Sequence, residues 1–191
     1  MIPKDYTALS LGEVRAGLDE TAQQAEAMFG RLDARQLNWR PDDARWSVAQ
    51  CVEHMVTANR LMMAAAEAAL DDAQPRTVWQ RLPVLPGIFG RMLIRSQVPG
   101  GTRRFTAPVQ AQPAASDIAA DIVHRFVAQH RDTVVRLRGL DEARAARTIM
   151  TSPFVRVITY SVLDGFRLMI THDHRHVEQA RGVMQSPGFP E

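Results

Sequence analysis

Residues 47–70 read SVAQCVEHMVTANRLMMAAAEAAL. Val48, Cys51, Met55, Ala58, Met62, Ala65 and Ala69 recur every three or four positions, the spacing of one helix face. Ser47, with Gln50 three places on, forms a capping box that sets the helix start. The helix stops before Pro75, and the next strong helical pattern begins only after residues 73–115. That interval decides the topology. A tight turn joins antiparallel helices, whereas two parallel helices need a return along the bundle. Helices of ~25 residues are ~37 Å long. The excursion covers that return, with slack for a short helix at GIFGRMLIR, residues 87–95.

Three more amphipathic segments flank this one. Leu11, Val14, Leu18, Ala22, Ala25 and Phe29 predict a helix over about 8–30, ending near Gly30. A third helix is expected from Ser116-Asp117, with Ile118, Ile122, Phe126, His130, Val134 and Leu137 on one face and Gly139 at its end. The fourth starts around Thr159 and carries Val162, Phe166, Met169, Asp173, His176, Ala180 and Val183 to a stop at Ser186-Pro187-Gly188. No segment alternates like a strand. The expectation is all-α: one domain over 1–191, a four-helix up-down-down-up bundle with a Pro/Arg-rich excursion, 73–115, between its second and third helices.

The balance of charge is ordinary, with a formal net charge of +2, and gives no general reason to invoke nucleic acid or a membrane. Within it, residues 73–115 hold six arginines, six of the eleven prolines and no acidic residue. This stretch is too apolar for a disordered linker. It is expected to fold over a site and grip an anionic substrate, or to form a solvated or dimer-contacting flap. Apart from Lys4, every basic residue is arginine, a bias of composition first, although a guanidinium fork also fits carboxylates and phosphates. No window approaches the ~20 apolar residues of a membrane span. The N-terminal residues show no signal-peptide pattern, and Cys51, the single cysteine, rules out an internal disulfide. A cytoplasmic location follows as the expectation.

Half of the six histidines fall in THDHRHVEQ, residues 171–179. His172 and His176, four apart, share one helix face, while His174 is turned by about 200° and is read as a surface residue, like His124. The pair continues the apolar stripe and faces the interior. His54 lies ~10 Å past the Ser47 cap and His176 ~14 Å before the end of helix four. In an up-down-down-up bundle those helices are antiparallel, so all three rings meet at one level. Three imidazoles with an open fourth position make a catalytic metal site; the plainer alternative is a set of core or surface histidines.

These residues occur in a familiar order. LNWRPDDARWSVAQCVEHMV followed by HDHRHVEQ resembles the DinB/YfiT-like superfamily, whose pattern is a Trp-Ser helix start, a histidine about seven residues later and a late H-x-x-x-H. Here these are Trp46-Ser47, His54, and His172 with His176. The resemblance implies a single four-helix bundle, often a homodimer, holding one divalent ion (zinc, nickel or iron) on His54, His172 and His176. It implies a small-molecule substrate, with chemistry either hydrolytic or thiol-dependent S-transfer using a low-molecular-weight thiol. Iron-dependent sulfoxide synthases of thiohistidine biosynthesis carry a similar domain with H-x-x-x-H-x-E, which His172, His176 and Glu178 match in spacing. The excursion is longer than the family's usual connection.

Around the ligands, Gln179 and Asp173 are candidates to hydrogen-bond the ligand rings from behind. Cys51 is a buried core residue or a sulfur near the ion. His130, on the inward stripe of helix three, orients a ligand, holds substrate or is a core histidine. Trp39 and Trp46 are expected to pack against the bundle end. Two functions stand against each other: a metal-dependent transferase or hydrolase, and a non-catalytic small-ligand-binding bundle with a structural metal or none. Nucleic-acid binding through the excursion is a distant third.

Overall fold

The computed structural model describes residues 5–71, 77–81, 84–100, 107–115 and 117–191. Ser116, and Arg76, Arg103 and Arg104 of the excursion, lie outside the described residues. Four long helices dominate: α1 Leu11–Phe29, α3 Val48–Leu70, α5 Ile122–Arg138 and α7 Val162–Met184. Three shorter ones are α2 Ala34–Asn38, α4 Leu85–Gln97 and α6 Glu142–Arg147. Among the described residues no helix is long and apolar enough to cross a membrane.

Capping sets the starts. Ser10 with Glu13, and Ser47 with Gln50, each form a reciprocal capping box at α1 and α3. Gln50 does more: its amide also donates to the Ala114 and Ala115 carbonyls at 2.9 and 3.1 Å, tying the end of the excursion to α3. Helix α4 covers the expected GIFGRMLIR segment, with Pro86 in its first turn where a missing N–H costs nothing.

Side-chain contacts fix the directions. Between α3 and α5, Val56 meets Gln129, Asn59 lies near His130 and Glu67 pairs with Arg136, so the two run parallel. Between α3 and α7, His54 meets His172 while Met62 meets Tyr160 just before α7, so these are antiparallel. Gly17 approaches Ile170 while Leu9, before α1, meets Arg167, so α1 and α7 are parallel. Arg131 pairs with Glu26 while Glu142, beyond α5, caps Leu11, so α1 and α5 are antiparallel. The bundle is up-down-down-up, and the long connection does join the parallel pair.

Two expected helix starts need correction. Helix α5 begins at Ile122, not Ser116-Asp117, because Asp117 is left-handed (φ 58°) and Asn38 holds both backbone groups of Ile118 outside the helix. Helix α7 starts at Val162, since Thr159–Ser161 pairs antiparallel with Ile149–Thr151 and Ser161 then caps the helix. The polar link after α1 contains α2, capped by Asp33 and Gln36. Strands of three residues are too short to leave an alternation in the sequence.

The apolar core falls into two clusters. One gathers Leu18, Met62, Leu137, Tyr160 and Phe166; the other gathers Phe29, Val48, Met55, Phe126 and Val177. Between them lies a belt of buried polar side chains from all four long helices: Thr21, His54, Asn59, His130, Thr133, Asp173, His174 and His176. Buried polar groups need partners, and how this belt satisfies them defines the site.

Helix α4 lies against the outer side of α7 at Gly90. A Cβ there would stand 2.6 Å from Asp164 Oδ2 and 3.0 Å from its Cβ and Cγ. Asp164 is held by Arg167 at 3.0 Å, and Arg167 in turn donates to the Leu9 carbonyl. Gly90→Ala gains about 1 kcal/mol of helix propensity, but the overlap in a fixed neighbourhood costs more. A net loss of about 1–2 kcal/mol is expected, read as a lower urea midpoint with an unchanged m-value.

Candidate metal centre

His54 leaves α3 toward α7, and His172 and His176 leave α7 toward α3, at the level the antiparallel register dictates. One nitrogen from each ring lies within 4.8 Å of the others, the group of possible metal donors found among the described residues. His54 Nε2 and His172 Nε2 are 3.0 Å apart, and the His176 ring centroid is 4.6 and 4.4 Å from theirs. His54 and His176 are buried, whereas His172 keeps 18% of its side-chain surface in solvent.

Local contacts orient these rings. His54 Nδ1 is 2.6 Å from the Ala111 carbonyl, an acceptor, so the proton sits on Nδ1 and the Nε2 lone pair faces the other histidines. Ala111 belongs to a 3-10 turn, Val109–Ala111, at the end of the excursion, and Glu53 holds the following Ala114 N–H. The last residues of the excursion thus reach His54 through a backbone carbonyl, on the ring edge turned away from the other two histidines. Trp46, read from sequence as end packing, stacks on His176 (centroids 5.9 Å, 23° between planes) and tilts over His54 at 5.0 Å. It is a wall of the site. Trp39 does pack at the bundle end, edge-on to Phe189.

Electrostatics favours neutral rings. Burial, and then the neighbouring His172, holds His54 down at about 4. Burial, then His172 and His54, holds His176 well below the ordinary histidine range. Neutral imidazoles are the form that ligates a metal. His176 Nδ1 is also buried without a hydrogen-bond partner among the described residues. Two nitrogens each ~2.05 Å from one tetrahedral zinc stand about 3.3 Å apart, close to the 3.0 Å between His54 and His172. The donor set fits a divalent ion.

Behind His172 lies a second group. Asp173 is fully buried; its Oδ2 accepts from Asn59 Nδ2 at 2.8 Å and from His130 Nε2 at 3.0 Å. Burial pushes the Asp173 carboxyl up, but His130 and then His172 outweigh it and hold it below the ordinary carboxylate range. The other ring nitrogen of His130 faces the Phe126 carbonyl at 3.1 Å. Asn59 carries no sequence motif and was not foreseen.

The remaining candidates separate. Cys51 is fully buried in the core cluster with Val48 and Met55, and burial pushes its thiol up to about 12, so it is inert packing. Gln179 is exposed on α7. Glu178 pairs with Arg181, one turn along the outer face. His124 is exposed, as expected. His174, expected at the surface, is buried: the hydroxyl of Tyr6, in the turn before α1, shares a hydrogen bond with His174 Nδ1 at 2.7 Å. The error has a physical cause. Helix α7 is covered by α1 and α4 as well as α3, so the face turned away from His172 is also interior.

A helical bundle with a wet-edged, three-histidine donor cluster between antiparallel helices fits a metal-dependent enzyme. The sequence pattern of the DinB superfamily matches residues 17–180, and the chain belongs to that family. Among solved structures, YfiT from Bacillus subtilis shares the fold, with a TM-score of 0.61 at 13% sequence identity over 94% of this chain and 89% of that one. YfiT is described as "a probable metal-dependent hydrolase with an unusual four-helix bundle topology". No curated protein is similar enough to this chain to count as a match.

Proposed function

We propose that this chain is a divalent-metal-dependent hydrolase of a small molecule, with the ion held by His54, His172 and His176. The observation that carries the reading is the convergence of three imidazole nitrogens within 4.8 Å, two of them on rings that burial keeps neutral. The description of YfiT supports hydrolysis. Held by these residues, a divalent ion would supply Lewis acidity, lowering the pKa of water or of a low-molecular-weight thiol at neutral pH. The chain's own residues do the rest. His54 keeps its proton on Nδ1, against Ala111, and turns its lone pair inward. Trp46 covers the His54 and His176 rings and excludes water from that side. The partly exposed edge of His172 marks the side from which substrate arrives.

Metal content by plasma mass spectrometry, on protein made without a histidine tag, tests this beside His172→Ala. About one zinc, nickel or iron per chain is expected in the wild type, with almost none in the variant. A panel of esters, amides and thiol-electrophile pairs then separates hydrolysis from S-transfer. No bound ion after anaerobic incubation with all three metals would leave the non-catalytic ligand-binding bundle as the better account.

A further inference from the structure

We infer that Asp173, clamped by Asn59 and His130, is the positioning residue of the three-histidine centre: its Oδ1 accepts a hydrogen bond from His172 Nδ1–H and so presents His172 Nε2 to the ion. This rests on the metal-binding reading above. His172 Nε2 is the nitrogen on the donor side, 3.0 Å from His54 Nε2. Its other nitrogen, Nδ1, is the one that carries the proton when Nε2 offers a lone pair. That nitrogen stands 3.7 Å from Asp173 Oδ1.

The two oxygens of Asp173 are not equivalent. Oδ2 serves two donors, Asn59 and His130, while Oδ1 is buried with no hydrogen-bond partner among the described residues. An ion pair with His130 alone accounts for Oδ2 and leaves Oδ1 unexplained. A buried carboxylate oxygen without a donor is costly, and His172 Nδ1 stands 3.7 Å from it. Closing 3.7 Å to a hydrogen bond takes a shift of about 1 Å, within reach of a ring rotation on the side chain that keeps some solvent exposure.

Neighbouring residues on a helix diverge by about 100° and do not normally face each other. Here they meet because Asn59 on α3 and His130 on α5 draw the carboxylate into the belt. The clamp thus joins three helices behind one ligand. His54 has its own outer partner in the Ala111 carbonyl. Carboxylate and carbonyl partners of this kind fix the tautomer and ring orientation of metal-binding histidines.

Asp173→Asn discriminates this role from structural pairing. The amide oxygen keeps Asn59 and His130 as donors, so the NH2 group takes the place of Oδ1 and meets His172 Nδ1–H donor to donor. Zinc affinity, measured by competition with a chromogenic chelator, is expected to fall 10–100-fold. In parallel, the zinc-loaded wild type with 15N-labelled histidine is expected to show a His172 Nδ1 proton protected from exchange. That second measurement needs no variant and decides the matter if Asp173→Asn does not fold. Affinity within about twofold of wild type in a folded Asp173→Asn, or a freely exchanging His172 Nδ1 proton, overturns the positioning role. If the wild type binds zinc and His172→Ala does not, that failure leaves the metal-binding reading intact. Failure of the wild type to bind zinc overturns both.

Discussion

If the three histidines hold an ion as proposed, stripping zinc from the zinc-loaded protein with a chelator is expected to lower its melting temperature by on the order of 10 °C. A ligand that binds only the native chain adds RT ln(1 + [L]/Kd), about 4 kcal/mol when free metal exceeds Kd a thousandfold. The unfolded chain does not preserve the site, because His54 is separated by more than a hundred residues from His172 and His176. In a domain of this size each kcal/mol moves the midpoint by about 2–4 °C. Calorimetry with zinc and with chelator reads the effect directly. His172→Ala should melt at the same temperature in both conditions; an equal zinc-induced rise in that variant would place the binding elsewhere.

The size of that effect depends on how the belt is built, and much of the belt could be read in advance. Ser47 and Gln50 fix where α3 begins, so the position of His54 along the helix follows from counting. The i,i+4 spacing of His172 and His176 fixes their common face. The long excursion makes α3 and α5 parallel, which makes α3 and α7 antiparallel and brings the three rings to one level. Each of those inferences uses local rules acting over one helix or one connection.

What escaped depended on contacts between distant segments. Nothing in a stripe of spaced apolar residues tells that α4 returns to cover α7 beside Gly90. Nor does such a stripe tell that Tyr6, 168 residues away, packs and hydrogen-bonds onto His174, and without that contact the His174 face looks solvated. Asn59 sits between Ala58 and Arg60 in a helix and resembles any polar residue there, yet it is 2% exposed because Asp173 draws it inward. Trp46 was legible as a helix-flanking aromatic but not as a wall, since its position depends on α7. The hairpin before α7 is shorter than the window in which a period can be detected.

The same crowding of rings sets the acid limit of the metal-free protein. His54 titrates near 4 when folded and near 6.5 when unfolded. Between those values the unfolded chain binds a proton that the folded chain refuses, so stability falls as pH falls through this window and is fully present above it. The difference is worth about 3 kcal/mol from His54, and His176, depressed by the same burial, adds to it in the same direction. Asp173 acts lower: its carboxyl is held below the ordinary range, so its contribution is lost only as pH drops under about 4. Urea unfolding of chelator-treated protein at pH 7.5 and at pH 4.5 should therefore show a marked loss at the lower value. His54→Leu removes one of the responsible groups and should flatten the dependence. A wild-type midpoint that stays constant across this range would mean that the rings are not buried as neutral imidazoles, and would remove the electrostatic support for a ligand cluster ready to take an ion.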